Sequence, residues 1–175
     1  EEAMTKVAET AFANDMSVNT ELIIGLPGET WESWTQGLCD LLSRDIIVEA
    51  YPVTILQNSE MNEPGYKEKH GITQVTLKSY FSNIVDEYQE TLTGTKDLPE
   101  EQMKKLWLWT WYTSMMDANG FTQIVTRYLN KRHGMQFEKF YERLLDWGLE
   151  NENCAAHKWL KKWQGYGERL EFNMF

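Results

Sequence analysis

The sequence predicts a short α/β portion followed by an all-α helical module, mostly helical overall. Two patterns carry this. Over residues 1–57, helix-spaced apolar residues alternate with short β-branched runs in the order α-β-α-β. Over residues 75–175, apolar residues fall at helical spacing between short breaks containing Gly or Asn. The expected division is therefore 1–61 for the βα portion, 62–74 for a linker loop and 75–175 for the helical module.

The elements follow in order. In "EEAMTKVAETAFAND", Met4, Val7, Ala8, Ala11 and Phe12 form one helical stripe, which Asn14 and Asp15 end. "VNTELIIGL" reads as a strand, and its unbroken Leu22-Ile23-Ile24 run suits a strand covered on both faces. "ETWESWTQGLCDLLSRD" is a helix with Thr30 as N-cap and Trp31, Trp34, Leu38, Leu41 and Leu42 on its buried side. "IIVEAYPVTIL" is a second strand, with Pro52 marking a bend or an edge. Strand, helix, strand at this length is a right-handed crossover between parallel strands. Two parallel strands do not make a stable sheet, and no further strands are expected in the remainder.

A polar loop, 57–72, leads to a helix expected over 75–92, with Leu77, Phe81, Ile84, Val85, Tyr88 and Leu92 on one side. Asp97 with Glu100 resembles a capping box, and Pro99 suits the first turn of a helix over 99–117. That helix carries Leu106, Trp107, Trp109, Trp111, Tyr112, Met115 and Met116, apolar on several sides, so it is central or covered by a partner. Helices over 121–132 and 136–148 stop at His133-Gly134 and Gly148, and a last one lies near 152–163; the final dozen residues take no assignment.

Composition excludes several classes. With 42% hydrophobic and 13% aromatic residues, the chain has the material for a packed core. A net charge of -10 disfavours nucleic acid and anionic membranes as partners. Two distant cysteines, Cys39 and Cys154, are no disulfide framework, and a cytoplasmic setting is expected. No apolar run approaches the roughly 20 residues that span a bilayer. The chain opens without Met inside a helical pattern, which suggests a piece of a longer protein.

No catalytic residue or metal ligand is assigned. His70, His133 and His157 lack ligand spacing, and His133 reads as a cation at a helix C-terminus. There is no Gly-x-Gly-x-x-Gly, no Gly-Lys-Ser/Thr phosphate loop and no serine at a nucleophile elbow. "IIGLPGET" has two readings. One is an ordinary βα turn, with Gly25 and Gly28 for unusual backbone angles and Pro27 for a fixed φ. The other is bare backbone at a strand's carboxyl end, where α/β folds admit ligands.

"ELIIGLPGETWESW" resembles the strand-turn-helix in the second half of radical S-adenosylmethionine (SAM) enzymes, which commonly carry Ile-Gly-Phe/Leu-Pro-Gly-Glu-Thr there. "VTILQNSEM" resembles their next strand and its ending, with Gln57 and Glu60 standing where prolines are usual. "WLWTWYTSMMDANGFTQIVTRYLNKRHGMQFEKFYERLL" is similar to the helical tail of members that also carry a cobalamin-binding domain. The resemblance implies the last βα units of a partial (β/α)6 TIM-like barrel. It implies that Ile23, Ile24 and Gly25 line the adenine side of SAM, with Gly28 and Glu29 at the rim.

The family's [4Fe–4S] cluster needs Cys-x-x-x-Cys-x-x-Cys, which is absent here. The resemblance thus implies the C-terminal part of an enzyme that uses SAM and a [4Fe–4S] cluster to begin radical chemistry, this part being inactive alone. Cobalamin use and substrate stay open. Its partner would be the N-terminal remainder of its own parent chain, and the open strand edges would otherwise pair in a homo-oligomer. The alternative is a non-catalytic, mostly helical interaction module that presents its Trp face to a protein partner.

Overall fold

A computed structural model describes residues 2–78 and 87–168, with side chains from Lys6 to Gly165 in that span. Helix α1 (Glu2–Phe12) leads into strand β1 (Asn19–Ile24), helix α2 (Trp31–Ser43) and strand β2 (Ile47–Pro52). β1 and β2 pair in parallel, Asn19 opposite Ile47 through Ile24 opposite Pro52, so the βαβ crossover forms as its sequence predicts. Thr30 caps α2: its hydroxyl accepts from Ser33 N–H, and Ser33 Oγ accepts from Thr30 N–H. Trp34, Leu38 and Leu42 are buried as expected, while Trp31 and Leu41 are half-buried. Asp15, at φ 57°, turns the chain after α1. The α1 stripe is only partly covered, since Ala8 is buried but Val7 is exposed; the Met4 side chain lies outside the described residues.

The strand expected over 46–56 is two strands. β2 ends at Pro52, and β3 (Thr54–Ile55) joins another sheet. Proline has no N–H to continue the ladder, so the chain changes sheets there. A 3₁₀ turn (Glu60–Asn62) and helix α3 (Pro64–His70) occupy most of the expected linker, with Pro64 at the first helical position and Gly71 in the left-handed region as its cap.

The helix expected over 75–92 is corrected by strands β4 (Thr73–Lys78) and β5 (Tyr88–Gly94), which pair antiparallel; the sheet order is β3-β5-β4. Residues 79–86 of that expected helix, including Phe81, Ile84 and Val85, lie outside the described residues. The error has a physical cause. Leu77, Tyr88 and Leu92 fit a helical stripe, but Val75 and Leu77 also alternate with Gln74, Thr76 and Lys78. The β-branched Thr73, Val75, Thr76, Thr91 and Thr93 favour the extended form. Thr91, Leu92 and Thr93 are buried in β5, the middle strand.

Helices α4 (Glu100–Ala118), α5 (Gln123–His133), α6 (Phe137–Glu150) and α7 (Ala155–Glu168) complete the described chain. α4 is the central helix, packed on β2, β5, α2, α5, α6 and α7. Trp107, Trp109, Leu106 and Tyr112 are buried in it. Trp34 Nε1–H donates to the buried Thr110 Oγ1 at 2.7 Å, which fastens α2 to α4. Trp111 stacks on Trp159 and Trp163 of α7, with ring centroids at 4.5 and 4.1 Å. The Trp face offered for an external partner is therefore spent on the protein's own core. Burying one such apolar side chain contributes about 1.5–3 kcal/mol.

Two termini differ from expectation. No side chain of Asp97 caps α4; Pro99 is the N-cap, and Thr95 Oγ1 accepts from Leu98 N–H at 3.1 Å. α6 does not stop at Gly148 but runs on to Glu150. Gly148 is buried inside the helix because a Cβ there would stand 2.6 Å from Leu160 Cδ1 of α7. Among the described residues no helix is long and apolar enough to cross a membrane.

Candidate functional site

The turn after β1 is built from its backbone outward. Gly25 has φ 96° and Gly28 φ 91°, angles that a side chain resists. Glu29 N–H donates to Leu26 O at 3.0 Å and closes the turn. The Glu29 carboxylate then folds back, and its Oε2 accepts from Gly25 N–H at 3.1 Å. Burial pushes the Glu29 carboxyl above the ordinary carboxylate range, against the backbone hydrogen bonds from Gly25 and Leu26 that lower it. Thr30 follows as the cap of α2.

The five residues singled out in the sequence fall into three environments. Ile24 (1% exposed) and Gly25 are buried, and a Cβ on Gly25 would stand 2.5 Å from Met103 Cε of α4 and 3.5 Å from Leu92 Cδ2 of β5. Gly25 therefore makes room for the protein's own helix. Gly28 faces open space, with nothing within 4 Å of an added Cβ. Ile23 is 53% exposed on the other face of β1. Glu29 is half-buried and spans the turn.

That other face corrects the expectation of a strand covered on both sides. Asn19, Glu21 and Ile23 of β1 and Ile47, Glu49 and Tyr51 of β2 are all exposed, while Ile24 and Val48 point into the core. On the open face Asn19 Nδ2–H donates to Glu49 Oε1 at 3.2 Å, and Tyr51 O–H donates to Glu49 Oε2 at 2.7 Å. These bonds, Tyr51 first, hold the Glu49 carboxyl below its ordinary range, and the Glu49 carboxylate raises the Tyr51 hydroxyl. The result is an oriented, ionised acceptor beside two apolar side chains. Sequence reading missed this set, although its signal is the period-2 alternation of "NTELI" and "IVEAY".

An open cleft of about 490 Å³ lies beside the same turn, lined by Thr30, Trp31, Glu32, Asp97, Gln102 and Lys105. It joins the first turn of α2 to that of α4. The cysteines stand apart from both features. Burial pushes the Cys39 thiol up, with nearby Glu138 and Asp40 adding to the effect, so it stays protonated and inert. Cys154 lies just before α7, where its Sγ accepts from His157 N–H at 3.3 Å. His70 stacks on Tyr66, His133 ends α5, and His157 Nδ1 lies 3.2 Å from Gly148 O. Among the described residues no group of three His, Cys, Asp or Glu side chains could hold a metal ion.

No family model matches the chain. It is similar to TokK of Streptomyces tokunonensis, a cobalamin-dependent radical SAM methyltransferase, at 27% identity over 151 residues, 81% of this chain and 22% of that protein. It is also similar to the 2-(S-pantetheinyl)-carbapenam-3-carboxylate methyltransferase of Streptantibioticus cattleyicolor, at 26% identity over 148 residues, 79% of this chain and 21% of that protein. The chain thus spans about a fifth of the length of these curated relatives, and its relation to radical SAM methyltransferases is distant.

Proposed function

We propose that this chain is the carboxyl-terminal portion of a cytoplasmic radical SAM enzyme, of the cobalamin-dependent methyltransferase kind, and is inactive by itself. In this reading β1 and β2 are neighbouring staves of a partial (β/α)6 barrel, and α4–α7 form the helical module behind them. One observation carries it. The parallel β1–α2–β2 unit buries one face under its own helices and leaves the other face open, with an organised polar centre on it. An inward barrel face has this character. The similarity to TokK points the same way.

The residues present do not fit a [4Fe–4S] cluster, since Cys39 is buried and protonated and Cys154 lies on another element. The cluster would be held elsewhere in the parent, where it supplies the electron that starts radical chemistry on SAM. This chain would contribute walls. Ile23 and Ile47 would pack on apolar ligand surface, Glu49 would accept from hydroxyl or ammonium donors, and Gly28 would let a ligand approach the rim. Gly25 and Ile24 would support that wall from behind.

The test begins with the parent gene: a Cys-x-x-x-Cys-x-x-Cys upstream of Glu1 is expected. The full-length protein, reconstituted anaerobically with iron and sulfide, should then release 5′-deoxyadenosine from SAM under reducing conditions. A parent without that motif, or a reconstituted protein forming no 5′-deoxyadenosine, refutes the reading.

A further inference from the structure

Helix α5 carries an apolar face that nothing in the described structure covers. Ile124 is 79% exposed, Val125 49% and Tyr128 57%, and Phe121, just ahead of the helix, is 72% exposed. Tyr128 follows Ile124 by four residues and Val125 by three, so it lies beside both on one side of the helix. Lys131 and Arg132 follow on that side: the five residues fall within a sector of about 120°. Both cations are exposed and have no ion-pair partner among the described residues. On the opposite side Thr126 is buried, and at the margin Arg127 reaches Leu42 O at 2.7 Å and Asp117 Oδ1 at 2.9 Å.

We propose that this face of α5 docks a separate acidic protein, which presents an amphipathic helix with apolar residues and carboxylates matching the Ile124–Tyr128 ridge and the Lys131–Arg132 pair. Charge selects this occupant. On a chain of net charge -10, an exposed apolar ridge ending in two free cations is the local exception, and opposite charge at the rim of an apolar contact sets partner choice. A second copy fits badly. Residues 118–134 contain no Asp or Glu, so an antiparallel α5 pair offers those cations no carboxylate, and a parallel pair brings like charges together.

Position separates this surface from the site. Arg127 ties α5 to the last turn of α2, whereas the glycine turn precedes the first. The length of α2 puts the Arg127 contact roughly 20 Å from the glycine turn.

The test uses the whole chain and two fluorescein-labelled helical peptides with leucines at i, i+3, i+4 and i+7. One is flanked by glutamates and the other by lysines. Anisotropy should show binding of the glutamate peptide alone, weakening as salt is raised. Ile124→Glu should lower that affinity at least roughly tenfold, and the double variant Lys131→Glu/Arg132→Glu should transfer the preference to the lysine peptide. These exposed positions leave the fold intact, which circular dichroism verifies. Equal binding of both peptides, binding of neither, or an unchanged preference in the double variant overturns the proposal. So does a dimer that Ile124→Glu dissolves, capture of the chain by anionic vesicles in place of the peptide, or a full-length parent that binds neither peptide because its own remaining chain covers this face.

Discussion

Asp117→Asn should be among the most damaging single changes in this chain. Asp117 sits at the end of α4 with a side chain only 5% exposed. Its Oδ1 accepts from Arg127 Nη1 at 2.9 Å and from Tyr141 O–H at 2.9 Å. Tyr141 is itself buried, with Thr122 Oγ1 3.0 Å from its hydroxyl. This one carboxylate therefore joins α4, α5 and α6, and Arg127 extends the joint to α2. Asparagine keeps the shape and removes the charge, so two charge-assisted bonds weaken, each worth about 1.5–3 kcal/mol. Leaving a buried partner uncompensated costs about 3–5 kcal/mol. Arg127 is 23% exposed and keeps Asp45 and Leu42 O, which lowers that figure. A loss of about 3 kcal/mol follows, or roughly 6–12 °C in Tm for a chain of this size. Urea unfolding followed by Trp fluorescence measures it. Tyr141→Phe should lose less, about 2 kcal/mol, because one charge-assisted bond goes and no charge is stranded. If Asp117→Asn unfolds within 0.5 kcal/mol (about the limit of a surface substitution) of the parent, the joint is not holding the helices together.

Three further outcomes are expected. Gly25→Ala meets both a resistant φ and Met103, so it should cost clearly more stability than Gly28→Ala, which carries only the roughly 1–3 kcal/mol of backbone strain; equal losses would show that α4 does not press on the turn. Because burial raises the Glu29 pKa, its contribution is fully present below the ordinary carboxyl range and lost as pH rises through the folded value. The urea midpoint of Glu29→Gln should therefore gain on the parent as pH rises from below to above the ordinary carboxyl range, and a constant difference would contradict this. On the proposed function, Glu49→Gln and Tyr51→Phe in the parent enzyme should lower turnover roughly tenfold or more with an unchanged melting curve, and unchanged turnover would remove the open sheet face from the proposed site.

Local signals in the sequence were reliable where one physical rule acted alone. Thr30 caps α2 because a hydroxyl three residues ahead of Ser33 meets its N–H in any helix that starts there. The βαβ unit was legible because the β-branched runs flank an amphipathic helix of the right length. The candidate site was half legible. The glycine turn stands out by composition, but the Asn19–Glu49–Tyr51 set is distributed over two strands and becomes a set only when their register is known. The strands at 73–78 and 88–94 were missed because their apolar residues satisfy two periods at once.

What the sequence determined by itself is the run of local elements around the crossover and the central helix, together with the net charge of -10. Each depends on neighbours a few residues apart. Tertiary structure alone decided what the glycines are for and which surfaces remain open. Gly25 yields to Met103, Gly148 yields to Leu160, and Ile23 and Ile124 are left facing solvent. Close approach and exposure belong to pairs of residues distant in the chain, and packing, unlike propensity, is settled only when those partners meet.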